Sequence, residues 1–379
     1  MKVVRKGRSN EICLIPKIVQ MDTAEEFCKT YSIGEGDLLF VSGHMYERFF
    51  EKYTKDAIIV NYRNYGSGEP TDLMVEGIYK DIQNVNYKRV IAVGGGTILD
   101  VAKLFALKDF SPVVDLYEHK IEPIRDKKLI LVPTTCGTGS EVTNISILEL
   151  TAIHTKMGLA VPELYADDAV LIPELLDGLP FQVFATSSID ALIHSIESYT
   201  SPKANSYTEM FSFKAMDIIL NAYKEIASLG GTVHEILLGD MLLAGTYAGI
   251  AFGNAGCAAV HAMSYPLGAM YHVPHGEANY VMFTEVYETY QRLQPEGKIE
   301  DLNRHLAALL DCDEENVYKQ MEKLLNHILS KRRLRDFGVT EEDINDFTRT
   351  VITKQGRLMA NNYVELDEQT IKQIYKKLW

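Results

Sequence analysis

The run RVIAVGGGTILDVAK, residues 89–103, constrains the fold more than any other stretch of the chain. Its first half is apolar without alternation, as a strand buried on both faces must be, since a half-exposed strand would alternate with polar residues. Gly94, Gly95 and Gly96 then strip the turn of side chains, and a helical pattern starts near Thr97. A buried strand passing through bare backbone into a helix opens a parallel strand–helix–strand unit, whose free amides and helix dipole attract a pyrophosphate. The strand signal recurs in DLLFVS (37–42), DAIIVN (56–61) and KLILVP (128–133). Between these runs, MYERFFEKY, PTDLMVEGIYKDIQ and TILDVAKLFAL carry helical spacing, so a Rossmann-like parallel sheet with right-handed crossovers is expected.

After residue 181 the β-branched runs stop and amphipathic helical patterns follow one another. At 379 residues the chain also exceeds the size that one core comfortably fills. The expectation is therefore two domains, an α/β dinucleotide-binding domain over 1–178 and an all-helical metal-binding and substrate domain over 179–379, with the break at LDGLPFQ (176–182) where Gly178 and Pro180 interrupt the pattern. Residues 241–260 lack charge and space Gly245, Gly249 and Gly253 four apart. That length could span a bilayer, but the stretch is rich in Gly, Ala, Asn, Thr and Cys and lacks basic flanks, so a buried, closely packed helix is the better reading.

A net charge of −14 repels phosphate backbones, and no basic stripe offsets it, so nucleic acid is not expected as a partner; with residues 241–260 read as a buried helix, neither is a membrane. The five cysteines stand far apart with no C-x-x-C pair, and the basic start MKVVRKGRSNEICLIP meets Glu11 before any apolar run. Both features predict a cytoplasmic protein with reduced thiols and no signal peptide.

A second loop strengthens the dinucleotide reading. LILVPTTCGTGSEVTN (129–144) follows another buried strand and offers hydroxyls at Thr134, Thr135, Thr138, Ser140 and Thr143 between glycines 137 and 139. Either loop alone could be a surface turn; two at the same end of one sheet favour phosphate and ribose binding. In the helical half, HAMSYPLGAMYHVPHGEAN places His261, His272 and His275 within fifteen positions, with Pro266, Pro274, Gly268 and Gly276 suggesting a site assembled from a turn. One histidine alone would commonly be a hydrogen-bonded core residue. The anion for a metal site is Asp190, four residues before His194 in SSIDALIHSIESY (187–199) and on the same helix face, although such a pair also occurs as a plain helix salt bridge. Carboxylate with imidazoles suits Fe(II), Zn(II), Co(II), Ni(II) or Mn(II), and spacing does not choose two histidines from the three.

GGGTILDVAK, PTTCGTGSEVT, DALIHSIESY and HAMSYPLGAMYHVPHGEAN stand in the order found in the iron-containing, group III alcohol dehydrogenases, which the chain resembles over essentially its whole length. PTTCGTGSEVTN, HTKMGLA, SPKANSYTEMFS and HAMSYP are most similar to the members acting on 4-hydroxybutyrate. The resemblance implies a metal, Fe2+ with Zn2+ as alternative, held by Asp190, His194, His261 and His275. It implies NAD bound by Gly95, Gly96, Thr97, Asp100, Thr134, Thr135, Thr138, Ser140 and Lys156 beside Gly94, and a homodimer. Two positions depart from the family pattern. Tyr265 stands where many members have a histidine, and a phenol titrates far above imidazole. Gly43 stands where many NAD-preferring members have an aspartate, which leaves NADP as an alternative cofactor.

The expected activity is hydride transfer between a small alcohol or aldehyde and the nicotinamide, with 4-hydroxybutyrate and succinate semialdehyde as substrates. Rivals are other group III specificities (1,3-propanediol, lactaldehyde, butanol, glycerol) and a lyase of the dehydroquinate synthase type. His272, with Tyr265 behind it, is the expected proton relay, and Arg357 is nominated for the substrate carboxylate.

Overall fold

The computed structural model describes residues 11–66, 68–153, 155–230 and 235–379. The basic start of the chain, residues 1–10, and His154 of the HTKMGLA motif lie outside the described residues.

One parallel sheet contains β1 (Lys17–Gln20), β2 (Asp37–Val41), β3 (Ile58–Asn61), β4 (Arg89–Gly94), β5 (Lys128–Pro133) and, past the hairpin described next, β8 (Asp168–Leu171). Its order is β1-β8-β5-β4-β2-β3, and all its pairings are parallel. Strands β6 (Ile145–Leu150) and β7 (Thr155–Ala160) form a separate antiparallel hairpin. The four continuous apolar runs supply β2 to β5. Their continuity has a simple cause: successive side chains point to opposite faces, and both faces are covered. Leu38, Phe40, Val90, Ala92, Leu129 and Leu131 join one core, while Leu39, Val41, Ile91, Val93, Ile130 and Val132 join another. The first core takes in Val75 and Ile78 of a helix spanning Asp72–Ile82 and Ile98 and Leu99 of one spanning Gly96–Leu104; the second takes in Phe27 of a helix spanning Ala24–Thr30. Each such side chain contributes roughly 1.5–3 kcal/mol by leaving water. In chain order these helices are α2, α3 and α1 for 72–82, 96–104 and 24–30.

From Phe181 onward the chain is helical: α4 (Phe181–Thr200), α5 (Ser206–Ser228), α6 (Glu235–Ala255), α7 (Ala259–Tyr271), α8 (His275–Leu293), α9 (Lys298–Leu310), α10 (Val317–Leu325), α11 (Glu341–Lys354) and α12 (Glu368–Leu378). Two compact units result. One holds Ile15–Ala191 with Lys224–Gly249; the other holds Leu192–Tyr223 and Ile250–Trp379, together with residues 11–14. Within the second unit α7 packs on α8 and α11, and α12 packs on α8 and α11.

Helix α6 carries residues 241–255 of the uncharged stretch, which breaks at 256–258, where Gly256 has a φ of 80°, before α7 begins; its small residues serve close approach. A Cβ on Gly245 would lie 2.9 Å from the Cys136 carbonyl carbon, and one on Gly249 would lie 2.6 Å from the Gly139 Cα. No helix among the described residues is long and apolar enough to cross a membrane. Pro266 and Gly268 depart from expectation: both lie inside α7 rather than in a turn, and only residues 272–274 separate α7 from α8. Proline in a helix interior costs about 3 kcal/mol. Here that cost is offset by burial of Val260, Ala262, Met263 and Leu267, and the Tyr375 hydroxyl donates to the Met263 carbonyl at 2.7 Å.

Candidate active site

Asp190 and His194 lie one turn apart on α4, so a single helix fixes their separation. His261 sits in the first turn of α7, and His275 is the first residue of α8. One donor atom from each of Asp190, His194, His261 and His275 falls within 4.8 Å of the others. The His194 and His261 rings stack with centroids 4.7 Å apart, Phe252 covers His194 at 4.2 Å, and the His275 ring lies 5.3 Å from that of His261. Asp190, His194 and His261 are buried and His275 half-buried. Gathering a carboxylate and three imidazoles out of water is costly unless a cation compensates, and this nitrogen and oxygen set is one that Fe(II) or Zn(II) accepts.

The half-buried Tyr265 ring lies 6.0 Å from that of His275. His272 is exposed, closes α7 with a left-handed φ of 53°, and does not belong to the four-residue donor group. Arg357 is exposed on a short helix, Gly356–Met359. One buried carboxylate beside His261 is not among the residues that the sequence singles out. Glu197, fully buried on α4, accepts from the Ala258 and Val260 amides and lies 2.5 Å from His261 Nδ1. Its signal was available: Asp190, His194 and Glu197 follow i, i+4, i+7 along one helix face.

The two glycine loops are neighbours because β4 and β5 pair side by side, Gly94 opposite Pro133, and the Thr134 amide donates to the Gly94 carbonyl at 3.0 Å. Gly95 is the N-cap of α3. A Cβ on Gly96 would come within 2.8 Å of Thr138 Cγ2, and one on Gly95 within 3.3 Å of Thr135 Cγ2. A side chain at either glycine would fill the space above the helix start, so the bare backbone leaves amides available to an anionic ligand. Thr134, Thr135 and Thr138 are half-buried on the facing loop, and the Thr97 hydroxyl donates to the Gly68 carbonyl at 3.0 Å. Lys156, on β7, lies 3.4 Å from a Glu69 oxygen.

Asp100 and Ser140 are bonded to each other. The Ser140 hydroxyl donates to Asp100 Oδ1 at 2.5 Å, and the other Asp100 oxygen accepts from the Ile147 amide at 2.9 Å. Lys103, wholly buried, donates to Ser140 Oγ at 2.8 Å and to the Ile145 carbonyl at 2.6 Å, with Asp100 Oδ1 at 3.3 Å. Burial pulls this ammonium below its usual range, and the adjacent Asp100 carboxylate opposes the shift. The cluster thus ties α3 to the loop after β5. Removing one partner of a buried ion pair leaves the other uncompensated, at a cost of about 3–5 kcal/mol. Lys103→Met is therefore expected to lower the thermal unfolding midpoint by several degrees. An unchanged midpoint would show that the cluster holds nothing together.

Models of the iron-containing alcohol dehydrogenase family match residues 20–173, and of the Fe-containing alcohol dehydrogenase family C-terminal part residues 184–379. The 4-hydroxybutyrate dehydrogenase of Clostridium kluyveri is 50% identical over 366 residues, covering 97% of this chain and 99% of that protein. Among solved structures, the archaeal halo-thermophilic alcohol dehydrogenase ADH/D1 from a Red Sea brine pool superimposes with a TM-score of 0.85 at 21% identity, over 99% of this chain and 100% of that one. The sulfoacetaldehyde reductase of Bifidobacterium kashiwanohense, solved with NAD+, gives 0.83 at 21% identity, over 98% and 99%. At such identities these two structures speak for the fold.

Proposed function

Because the chain belongs to the iron-containing alcohol dehydrogenase family, we propose that it is a 4-hydroxybutyrate dehydrogenase, interconverting 4-hydroxybutyrate and succinate semialdehyde with NAD as hydride carrier. The observation that carries the substrate is the 50% identity to the Clostridium kluyveri enzyme along nearly the full length of both chains.

The buried donor set fits a divalent cation, and the bare helix start fits a dinucleotide phosphate. Asp190, His194, His261 and His275 would hold the metal, Fe2+ with Zn2+ as the alternative. Gly94, Gly95, Gly96 and Thr97, with Thr134, Thr135 and Thr138, would hold the cofactor phosphates and amide, and Lys156 the ribose. Asp100 and Ser140 would join them at the cofactor, held in place by the cluster around Lys103. A cation so placed supplies Lewis acidity toward the alcohol or carbonyl oxygen. The nicotinamide supplies the hydride acceptor that no side chain provides. Phe252 stacks on one face of the His194 ring. The Tyr265 hydroxyl offers a hydrogen bond beside His275, and the exposed His272 exchanges the released proton with solvent. Gly43 presents no carboxylate to repel a 2′-phosphate, so NADP should retain measurable activity. The dinucleotide is assigned to residues 1–178 and the metal and substrate to 179–379. The free cysteines suit a cytoplasmic setting, and the family likeness suggests a homodimer.

The test is a panel of aldehydes with and without a terminal carboxylate, each run with NADH and NADPH on iron-loaded protein prepared without oxygen. A charge-assisted contact to the carboxylate is worth about 1.5–3 kcal/mol, so kcat/KM for succinate semialdehyde should exceed that for butanal by roughly 10- to 150-fold. Preference for the uncharged aldehyde would move the assignment to another alcohol class. A cofactor regenerated in each cycle, with no net oxidation, would point to a lyase.

A further inference from the structure

The start of α7 is held by a side chain from another helix. Its N-cap is Ala258, which has no side-chain acceptor for the first-turn amides. A buried amide left without a partner costs about 1–3 kcal/mol. Glu197 of α4 fills the role. Its Oε1 accepts from the Val260 amide at 2.7 Å, and its Oε2 accepts from the Ala258 amide at 3.0 Å and lies 2.5 Å from His261 Nδ1. The carboxylate is wholly buried, beside the positive end of the helix dipole.

We propose that Glu197 is a positioning residue of the metal centre, which fixes His261 in the Nδ1–H tautomer and locks its ring to the first turn of α7. The inference rests on reading Asp190, His194, His261 and His275 as the metal ligands. Backbone amides only donate, so both oxygens of Glu197 act as acceptors, and the imidazole nitrogen facing Oε2 presents its N–H. A neutral imidazole carries one N–H, which puts the lone pair on Nε2, the nitrogen that a metal would use. Glu197, Cys257 and His261 also form a compact group of donor atoms. With both Glu197 oxygens and His261 Nδ1 committed to hydrogen bonds, that trio reads as the support of one ligand and not as a second metal site.

Glu197→Gln separates positioning from bulk. A glutamine keeps the shape but replaces one acceptor oxygen with an NH2 group. Facing His261, that NH2 drives the imidazole proton to Nε2 and removes the lone pair; facing α7, it opposes the Val260 amide. Loss of such an outer partner commonly weakens metal binding about 10- to 100-fold. Chelator competition with Zn(II) on full-length, metal-stripped protein should show a loss of that size, and the rise in unfolding midpoint on adding Zn(II) should shrink. A purely structural role would lower the midpoints with and without metal equally and leave affinity within twofold, which would overturn the proposal. The wild-type protein gives a second test that does not depend on the variant folding. Long-range 15N–1H correlation on histidine-labelled, metal-free protein should show His261 as the Nδ1–H tautomer, and an Nε2–H form would overturn the proposal. Asp190→Ala distinguishes the two failures. If Asp190→Ala leaves Zn(II) affinity intact, the ligand reading itself falls; if it abolishes affinity while Glu197→Gln does not, the positioning role alone falls.

Discussion

Replacing His275 with alanine is expected to yield a folded protein that binds its metal at least a hundredfold more weakly and turns over on the order of 10³-fold more slowly. His275 is the most informative of the four donors because its removal costs the least structure. It is half-buried at the first position of α8, where alanine is tolerated, whereas His261 is tied to Glu197 and His194 is stacked between His261 and Phe252. The residue also supplies one of only two helices that complete the donor set begun by α4. Without it the remaining carboxylate and two imidazoles can still collect an ion, but with one bond fewer and a looser geometry. A Lewis acid contributes several kcal/mol to charge stabilisation at the reacting oxygen, and each 1.36 kcal/mol is tenfold in rate. Metal content of protein prepared without oxygen, measured beside kcat, checks both halves. Undiminished turnover in metal-free His275→Ala would remove the metal from the mechanism.

Sequence made legible what repeats along one element and left obscure what depends on partners across the fold. Strands β2, β4 and β5 could be read because burial on both faces writes an unbroken apolar run, with Leu38, Val90 and Leu129 on one side and Leu39, Ile91 and Ile130 on the other. Strands β1 and β8 are four residues each, KIVQ and DAVL, too short to show a period. The pairing of Asp190 with His194 is a helix repeat and was visible; Glu197 continues that repeat, but its partners lie sixty residues away at the start of α7, where spacing gives no hint. Asp100 and Ser140, which the family resemblance assigns to the cofactor, also bond to each other and to Lys103, links between distant stretches of the chain that no local spacing announces. Pro266 signalled a turn by its local chemistry, and tertiary burial of its neighbours overrode that signal.

The glycines of α6 and of the loop after β5 lead to the largest expected effect on stability. Gly139 adopts a φ of 58°, a left-handed conformation that costs an ordinary residue about 1–2 kcal/mol. A Cβ there would also lie 2.3 Å from the Gly249 Cα, while a Cβ on Gly249 would lie 2.6 Å from the Gly139 Cα and 3.0 Å from its carbonyl oxygen. Each glycine is thus required by the other, and what blocks a methyl group is backbone, which cannot rotate aside as a side chain would. Moving it means shifting α6 away from Cys136 and Gly137, which Gly245 also approaches. Gly139→Ala is therefore expected to cost about 4 kcal/mol or more, adding overpacking to the conformational strain. Gly36 provides the control. Its φ is 83°, also left-handed, but no atom lies within 4 Å of its missing Cβ, so Gly36→Ala should show strain alone, about 1–2 kcal/mol. Thermal unfolding of both variants beside the parent isolates the close approach as the difference between them. Equal midpoints would mean that α6 does not rest against this loop, and the argument that its glycines serve packing would fail with it.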